Sequence, residues 1–442
     1  MDLTRVFRLQ PNSRIAFVGS GGKTSAMFQL ARAYEGLVLL TTTTHLAVNQ
    51  LELADSYHLI QVAQDLPRSR SELTGEVVLL VGPSSEEGRV GGLGEAALDK
   101  LRRLADQWDC PLLIEADGAR KLPLKAPAAH EPAVPEFCTG VVVTVGLNGL
   151  GKPLGGTWVH RPDRFAELAG IAMGENISIE ALIKVATSPQ GGLKDLPERS
   201  WKLLLINQID TFPNWRSIKE HLPGLLSGFH AVAFATLAGE LVLEVHERIA
   251  GIVLAAGGSS RYGEAKQFLE WKGKPFIYQV SQTALEAGLD PVLAVIGSER
   301  ERAEQTLKDL PLEIVPNPEW EAGQSSSVKW GIEALPDHLG GVVFLLVDQP
   351  QIPADVIRAL LNRHARSLVP ITALQIDGRK AHPVLFDRAL FTDLQTIRGD
   401  AGGRSLFEHH QVDYLVHPDH RLGIDVDSPE DYQLLTDQFP DA

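Results

Sequence analysis

The sequence predicts an α/β protein built from two domains. Short runs rich in Val, Ile and Leu alternate with amphipathic segments of helical period along the 442 residues. Nearly every residue of these runs is apolar, which is typical of parallel strands covered by helices on both faces. A new strand, loop and helix unit begins at Gly251, and the remainder of the chain has the usual size of one domain. We therefore predict one domain over residues 1–247 and a second over residues 248–442.

Ten apolar runs are predicted to be buried strands. In the first domain they are RIAFVG, GLVLLTTTT, EVVLLVG, CPLLIEADG, GVVVTVGL and KLLLINQID, and in the second GIVLAAGG, PVLAVIG, LEIVPN and GVVFLLVDQP. Two later segments, GRKAHPVLF and GDAGGRSLF, are rich in Gly and polar residues, so we predict loops there.

Composition and charge exclude several classes of protein. The chain is 44% hydrophobic and 22% charged, as globular domains are, and its net charge of -15 speaks against a nucleic-acid partner, which needs a basic surface. Cys110 and Cys138 are too few for a disulfide framework. The start carries no signal-peptide pattern, and the apolar runs are shorter than the roughly 18 residues of a membrane span. We therefore expect a cytoplasmic protein without a membrane partner.

The loop after the strand IVLAAGG has the character of a phosphate-binding site. Its small residues let the backbone approach a ligand, and its N–H groups precede a helix start, where anions bind readily. Arg261 and Lys266 follow and would supply matching cations for a nucleoside triphosphate. The alternative is a glycine-rich turn with two solvated cations.

Two later segments of the second domain carry aspartates that could bind a metal ion. Asp348 comes at the carboxyl end of the strand GVVFLLVDQP, which is the edge where open α/β sheets bind ligands. Asp425 and Asp427 in LGIDVDSPEDY precede a helix start, and one of them could complete a Mg²⁺ site with Asp348. The alternative is a helix cap, and both hold if Ser428 caps the helix while Asp427 faces the metal.

Three consecutive serines open a further amphipathic helix in the segment NPEWEAGQSSSVKWGIEAL. Ser325, Ser326 and Ser327 could cap this helix or bind a ligand, and capping needs only one of them.

Together these segments resemble the MobA-like nucleotidyltransferases. LAAGGSSRYGEAKQ is similar to the family signature LAAGxSxRxGxxK, and VDQP stands where the family has its metal-binding xDxP. NPEWEAGQSSSVKWG, AHPVLF, GDAGGR and IDVDSPEDY are similar to the molybdenum cofactor cytidylyltransferase (MocA-like) branch, in order over residues 249–436. Tyr262 replaces the common Met and Ala381 the usual Gly, and neither change removes a charged group.

The resemblance implies a Rossmann-like nucleotidyltransferase domain with a mostly parallel sheet. Its activity would be Mg²⁺-dependent transfer of CMP from CTP to molybdopterin with release of pyrophosphate, and the Ala-Ala-Gly form of the loop favours CTP over GTP. The catalytic residues would be Arg261, Lys266 and Asp348, with Mg²⁺ held by Asp348 and Asp427. The nucleotide would be bound by Leu254, Ala255, Ala256, Gly257, Gly258, Arg261 and Lys266, with Ser325, Ser326 and Ser327 near the base and sugar.

Two other functions remain open for the second domain. Cytidylyl transfer to a sugar or polyol phosphate would use the same loop and metal site with a different acceptor pocket. A non-catalytic, nucleotide-dependent cofactor chaperone belongs to another class, and the intact cations and aspartates argue against it.

The first domain carries a shortened version of a nucleotide-binding loop. In RIAFVGSGGKTS the residues Gly22, Lys23 and Thr24 fit the end of the Walker A pattern G-x-x-x-x-G-K-[ST], but Phe17 stands at the first glycine position. Gly19 and Gly21 are the other small residues of this loop. A Lys-Thr pair at a helix start suits a phosphate and its metal.

Other strand ends of the first domain carry polar residues. Glu115 and Asp117 in IEADG form a Walker B-like pair, for which simple polarity at a strand end is the alternative. Asn207 and Asp210 in NQID are close to the N-K-x-D loop with which GTPases bind guanine, but Gln208 stands in place of the lysine.

These segments also resemble a family, the selenium-dependent hydroxylase accessory proteins (YqeC-like). The resemblance rests on VGSGGKT, TTTTHL, IEADGARKLPLKAPAAHEP, GLNGLGKPL, VHRP and NQID over about residues 10–240. It implies a P-loop-like α/β domain that binds a second nucleotide, ATP or GTP, and acts with an apo molybdenum hydroxylase as partner. Its site residues would be Gly19, Gly21, Gly22, Lys23, Thr24, Asn207 and Asp210, with Thr24 and Asp117 at a metal.

Overall fold

The computed structural model divides the chain into two compact units, Met1–His246 and Glu247–Ala442. It describes residues 1–85, 88–239, 241–257 and 265–440, with backbone only at residues 85 and 400–402. Within these residues, no helix is long and apolar enough to cross a membrane.

The first unit is built on a nine-stranded sheet. The strands of this part of the chain are β1 (Arg14–Gly19), β2 (Val38–Thr42), β3 (His45–Ala47), β4 (Ser56–Leu59), β5 (Val77–Val81), β6 (Ser84–Ser85), β7 (Arg89–Gly91), β8 (Leu112–Glu115), β9 (Leu124–Lys125), β10 (Gly140–Gly146), β11 (Val159–His160), β12 (Trp201–Asn207), β13 (Ala231–Thr236) and β14 (Leu241–Glu247). Among them, β3, β6 and β7 form one small separate sheet, and β9 and β11 form another. The sheet order is β14-β13-β12-β10-β1-β8-β2-β5-β4, and its pairs from β12/β13 to β5/β4 are parallel.

Helices cover this sheet, as its apolar strands require. They are α1 (Leu3–Val6), α2 (Lys23–Ala33), α3 (Glu95–Gln107), α4 (Pro162–Ala169), α5 (Ile179–Ala186) and α6 (Leu222–Leu226). Every residue of β2 and β5 is buried, because a strand inside a parallel sheet has helices or loops on both faces. A large core of the unit includes residues of β8, β10 and the helices α3 and α5.

The second unit is built on a seven-stranded mixed sheet. The strands of this unit are β15 (Ile249–Ala255), β16 (Glu270–Trp271), β17 (Lys274–Pro275), β18 (Val292–Ile296), β19 (Glu313–Pro316), β20 (Gly341–Leu346), β21 (Ile371–Ile376), β22 (Arg379–Asp387) and β23 (Val412–His417), of which β16 and β17 form a separate pair. The order is β19-β18-β15-β20-β22-β21-β23. Only β22 runs antiparallel to its two neighbours, β20 and β21, and the other pairs are parallel.

Helices lie on both faces of the second sheet. They are α7 (Phe276–Glu286), α8 (Arg300–Leu307), α9 (Gln324–Glu333), α10 (Ala354–Ser367), α11 (Phe391–Thr396) and α12 (Pro429–Gln438). Side chains of a strand alternate between the two faces. Thus Val253 of β15 packs in the core with α7 and α10, whereas its neighbour Ile252 packs in the core with α9.

The ten predicted strands are confirmed, each within a few residues of its predicted bounds. The prediction of a loop at GRKAHPVLF is wrong, because residues 379–387 form β22 and pair on both sides. The glycine of that segment, Gly378, lies in the turn that precedes the strand and takes a left-handed backbone angle of φ 73°. The segment GDAGGRSLF lies in a 3₁₀ helix, Gly399–Glu408, where we predicted a loop.

The turn after β1 gives a testable constraint on the first unit. Gly19 has φ 90°, and a Cβ placed there would lie 2.2 Å from the backbone oxygen of Thr144 in β10. Gly151 also has a left-handed angle, φ 72°, but has open space around it. Alanine pays about 1–2 kcal/mol for such an angle at either position, so we expect Gly151→Ala to cost about that much in unfolding free energy.

Gly19→Ala should cost more, about 2–4 kcal/mol, because the clash with Thr144 adds to the backbone strain. Urea unfolding of both variants measures the difference. Equal losses would contradict the close approach of β1 and β10 at this turn.

Candidate functional site

The candidate site of the second unit lies where the strand order reverses. From β15 the chain goes first to β18 on one side and later returns to β20 on the other side of β15. The crevice outside the carboxyl ends of two such strands is the usual ligand site of open α/β sheets. Asp348 lies two residues beyond the end of β20, so the fold places it at this edge.

Lys266 lies between two aspartates at this edge. Its Nζ donates to Oδ1 of Asp427 at 2.7 Å and lies 3.5 Å from Oδ2 of Asp348. Burial alone would lower the pKa of Lys266, but the hydrogen bond to Asp427 and the charge of Asp348 raise it above its usual value. The lysine is therefore a fixed cation among carboxylates.

The aspartates form a concentration of negative charge. Burial raises the pKa of Asp348 to about 6, Lys266 opposes this rise, and the charges of Asp425 and Asp427 add to it. Burial also raises the pKa of Asp425, whose carboxylate accepts a hydrogen bond from Gln349 at 2.5 Å. Oδ1 of Asp348 is buried and has no hydrogen-bond partner within the described residues. A divalent cation would relieve both the repulsion and the missing partner.

The segment before α12 holds two of these aspartates in place. The N–H of Val426 donates to the carbonyl of Asp348 at 3.1 Å, which fixes the segment to the end of β20. Ser428 is the N-cap of α12, and its hydroxyl accepts from the N–H of Asp431 in a capping box. The prediction that Ser428 caps the helix is confirmed, and the cap leaves Asp427 facing Lys266.

The three serines lie buried in the first turn of α9, and the N-cap is Gly323 rather than a serine. Nδ2 of Asn317 donates to the hydroxyls of Ser326 at 2.9 Å and Ser327 at 3.0 Å. The hydroxyl of Ser326 in turn donates to the carbonyl of Gly323. Two of the serines therefore tie the start of α9 to the loop after β19.

The predicted triphosphate loop begins directly at the end of β15. Ala255 is the last residue of the strand, Ala256 is buried, and Gly257 is exposed with open space on the side where a Cβ would lie. Gly258 and Arg261, which we also predicted to contact the triphosphate, lie outside the described residues.

A groove enclosing about 520 Å³ opens beside Leu254, the residue before the end of β15. Phe344 and Phe386 are among its lining residues, with ring centroids 5.8 Å apart, and Nζ of Lys380 lies 4.5 Å from the ring centroid of Phe407. The other lining residues are Gln324, Val328, Ala381, His382, Val384, Gly403 and Arg404. Burial lowers the pKa of His382 to about 4, so the groove contains a neutral imidazole and two cations.

The loop between β1 and α2 in the first unit is folded around Lys23. Nζ of Lys23 donates to the carbonyl of Gly19 at 2.8 Å and lies 3.1 Å from Oδ1 of Asp117. Burial alone would lower the pKa of Lys23, but the carboxylates of Asp117 and Glu115 raise it above its usual value. The lysine is only 6% exposed, so its charge depends on these partners.

The two Walker B-like carboxylates have different partners. Oδ2 of Asp117 accepts from the N–H of Gly19 at 2.9 Å and from Nζ of Lys125 at 2.7 Å. Glu115, the last residue of β8, instead accepts from the hydroxyl of Thr24 at 2.7 Å. The structure thus pairs Thr24 with Glu115, whereas we predicted that Thr24 and Asp117 would share a metal.

A third carboxylate, Glu131, completes this buried cluster. Glu131 accepts from both terminal nitrogens of Arg161 at 2.8 Å and lies 2.8 Å from Nζ of Lys125. Although burial raises the pKa of Glu131, the hydrogen bonds from Arg161 and Lys125 lower it to about 2. Lys125 therefore bridges Asp117 and Glu131.

Asn207 connects the Walker A-like loop to the segment that follows β13. Its Nδ2 donates to the carbonyl of Gly21 at 2.6 Å, and its Oδ1 accepts from the N–H of Leu237 at 2.9 Å. A Cβ on Gly22 would lie 2.4 Å from the Asn207 amide. Asp210 is exposed and accepts from the hydroxyl of Thr236 at 3.1 Å. Asn207 thus fixes the loop, and Asp210 stays accessible.

Two family models match this chain, one in each unit. The family model of the YqeC protein covers residues 15–163, and the model of the MobA-like NTP transferase domain covers residues 251–414. The chain is 32% identical over 208 residues to the YqeC protein of Escherichia coli, across 45% of this chain and 77% of that one.

The first half of the chain belongs to the YqeC family, and the second half is a MobA-like NTP transferase domain.

Two relatives match the NTP transferase half. One is the purine catabolism protein PucB of Bacillus subtilis, 31% identical over 199 residues, across 42% of this chain and 94% of that one. The other is a probable molybdenum cofactor guanylyltransferase of Bacillus cereus, 29% identical over 134 residues, across 30% of this chain and 64% of that one. The second half is therefore a nucleotidyltransferase domain, a class that uses a nucleoside triphosphate and a divalent metal.

Sequence reasoning missed several residues of these sites. In the YqeC domain they are Lys125, Glu131 and Arg161, and in the NTP transferase domain Asn317. Lys125 and Glu131 belong to LPLKAPAAHEP, where isolated charges stand among small apolar residues. That contrast is a usable signal, because a lone charge in an apolar segment needs a buried partner.

The Glu131 cluster predicts a stability effect in the YqeC domain. Since folding lowers the pKa of Glu131 from 4.5 to about 2, its contribution is full above about pH 4.5 and is lost as the pH falls towards 2. We expect Glu131→Gln to lower the unfolding free energy by about 2–4 kcal/mol at pH 7, because it breaks a buried charge pair.

The loss should shrink at pH 3, where part of the wild-type contribution has already disappeared. Urea unfolding at both pH values measures it, and Glu35→Gln at an exposed glutamate provides the control. A loss that is the same at both pH values would contradict the ion-pair interpretation.

Proposed function

We propose that the NTP transferase domain is a molybdenum cofactor cytidylyltransferase, which transfers CMP from CTP to molybdopterin and releases pyrophosphate. The observation that carries the proposal is Lys266 lying between Asp348 and Asp427 at the switch point of the sheet. One side of the crevice offers the backbone of residues 255–257, and the other offers carboxylates. A triphosphate with its divalent cation needs this combination of groups.

The chemistry needs alignment and charge compensation more than proton transfer. A terminal phosphate oxygen of the acceptor attacks the α-phosphorus of CTP, a new P–O bond forms, and the bond to the β-phosphate breaks. The acceptor phosphate is already an anion, so no general base is required. Lys266, which Asp427 holds at this edge, would face the negative charge that builds up on the phosphates, and a fixed cation in a preorganised site stabilises such charge.

The aspartates fit a magnesium ion. Asp348 and Asp427 would hold it, with Asp425 close by, because hard divalent cations prefer carboxylate oxygens and Oδ1 of Asp348 is buried without a partner among the described atoms. When bound, Mg²⁺ would neutralise charge on the triphosphate and lower the barrier to its cleavage.

The groove beside Leu254 favours a flat, phosphate-bearing acceptor. Its lining is largely apolar and includes the aromatic residues Phe344, Phe386 and Phe407, which favours a heterocycle such as a pterin over a sugar, whose hydroxyl groups need many hydrogen bonds. Lys380 and Arg404 at the groove supply cations for a phosphate. The name of the Bacillus cereus relative mentions the molybdenum cofactor, whose molybdopterin is a phosphate-bearing pterin of this kind. Transfer to a sugar or polyol phosphate is the alternative acceptor reaction.

For the YqeC domain we propose binding of ATP or GTP at the loop of residues 19–24. Phosphate oxygens would accept hydrogen bonds from the loop N–H groups and would replace Asp117 as the ion-pair partner of Lys23. Thr24 and Glu115 would lie at the accompanying metal, and Asp210 would be available to the base. The domain would prepare the cofactor or deliver it to an apo molybdenum hydroxylase.

The catalytic role of Lys266 and Asp348 can be tested on the full chain. Lys266→Ala and Asp348→Asn should each lower the rate of pyrophosphate release with CTP, Mg²⁺ and molybdopterin by about 10²–10³-fold, since each removes an electrostatic contact to the phosphates or their metal. Lys308→Ala removes the same charge at an exposed position after α8 and should leave the rate unchanged. Rates within threefold of wild type for both site variants would exclude this crevice as the catalytic centre.

Nucleotide and acceptor preference separate the remaining alternatives. CTP should give faster pyrophosphate release than GTP or ATP, and only when molybdopterin is present, because the acceptor phosphate is the nucleophile. Release with polyol phosphates instead of molybdopterin would favour the alternative transferase. Tight retention of molybdopterin without any pyrophosphate would favour a cofactor chaperone.

A further inference from the structure

A second candidate metal site lies at the opposite edge of the sheet in the NTP transferase domain. Glu247 precedes β15, Asp387 is the last residue of β22, and His364 lies in the last turns of α10. One potential ligand atom from each of the three residues lies within 4.8 Å of the others. Three separate elements of the fold thus bring an imidazole and two carboxylates together.

The imidazole is buried and oriented towards the cluster. His364 and Asp387 are each 3% exposed, and Nε2 of His364 has no hydrogen-bond partner within the described part of the chain. Its other ring nitrogen, Nδ1, lies 3.4 Å from the hydroxyl of Thr372 on β21. A ring held through one nitrogen and presenting the other is the usual arrangement of a metal-binding histidine.

The distances fit a shared ion better than a direct contact. Nε2 of His364 and Oδ2 of Asp387 are 3.6 Å apart, which is too long for a hydrogen bond. Two ligand atoms bound to one tetrahedral zinc ion, each about 2.0–2.2 Å from it, lie about 3.4 Å apart. Glu247 is partly buried against Gly340, where an added Cβ would lie 2.7 Å from the Glu247 Oε2, so its carboxylate is confined at the cluster.

We propose that Glu247, His364 and Asp387 bind one divalent transition-metal ion, of which Zn²⁺ is the best match. Imidazole is a good ligand for zinc, whereas Mg²⁺ prefers a shell made only of oxygen atoms. The ion would link the entry of β15 and the end of β22 to α10. Asp348 and the start of β20 lie at opposite ends of that strand, roughly 20 Å apart at the usual rise per residue. The ion is therefore structural and separate from the magnesium of the transfer reaction.

Zinc binding by the purified full-length chain tests this site. Metals are removed with EDTA, and the protein is then titrated with Zn²⁺ in a buffer that contains millimolar Mg²⁺. Bound zinc is measured by elemental analysis. We expect one tightly bound equivalent, together with a rise in the thermal unfolding midpoint. Glu247→Gln and His364→Gln should each weaken binding at least tenfold.

Two matched variants and a spectroscopic readout complete the test. Glu333→Gln, the same change at an exposed glutamate of α9, and Asp348→Asn, at the other edge, should both retain the zinc. Glu247→Gln changes only a partly buried side chain, so it tests the site even if His364→Gln fails to fold. Co²⁺ bound in place of zinc should give visible absorption bands that Glu247→Gln removes. The proposal is overturned if Glu247→Gln binds zinc like wild type, or if only Asp348→Asn loses it.

Discussion

The contact of Lys266 with the aspartates is the interaction on which the NTP transferase site depends. Three carboxylates, Asp348, Asp425 and Asp427, meet at one sheet edge, and the ammonium group of Lys266 compensates only part of their charge. Burial, and to a smaller extent the charges of Asp425 and Asp427, raise the pKa of Asp348. Such a cluster is stable in the folded chain because strand β20 and the cap of α12 hold the groups together. It is stabilised further when a divalent cation binds to the carboxylates.

The charged cluster of the YqeC domain, unlike that of the NTP transferase domain, has as many cations as carboxylates. Its cluster combines three cations, Lys23, Lys125 and Arg161, with the three carboxylates Glu115, Asp117 and Glu131. The charges balance, and the pKa of Glu131 is lowered to about 2 where that of Asp348 is raised to about 6. A phosphate arriving at the loop must therefore compete with Asp117 for Lys23. The two domains would both bind nucleotides at a sheet edge, and in each a lysine would exchange its carboxylate partners for phosphate oxygens, Lys23 in the first and Lys266 in the second.

The sequence predicts those parts of the fold and site that depend on local pattern. Buried parallel strands are continuous apolar runs, so all ten predicted strands form, and Asp348 follows β20 at its carboxyl end as the pattern indicates. The strand β22 is not predicted because its first residues, such as Arg379 and Lys380, are polar and exposed. Its partner β20 is distant in the sequence, and its other partner, β21, is not among the predicted strands. The bond of Asn317 to Ser326 and Ser327 likewise requires knowing how the loop after β19 meets α9.

The pairing of Thr24 with Glu115 shows why residue types alone do not assign roles. Glu115 and Asp117 are two residues apart, and either could serve a metal beside Thr24. The structure separates them because the N–H of Gly19 and the ammonium of Lys125 both bind Asp117. Lys125 comes from a strand eight residues later in the chain, and its own position depends on Glu131 and Arg161. The choice between two neighbouring carboxylates is thus decided by a buried network, which tertiary packing assembles and a local motif does not contain.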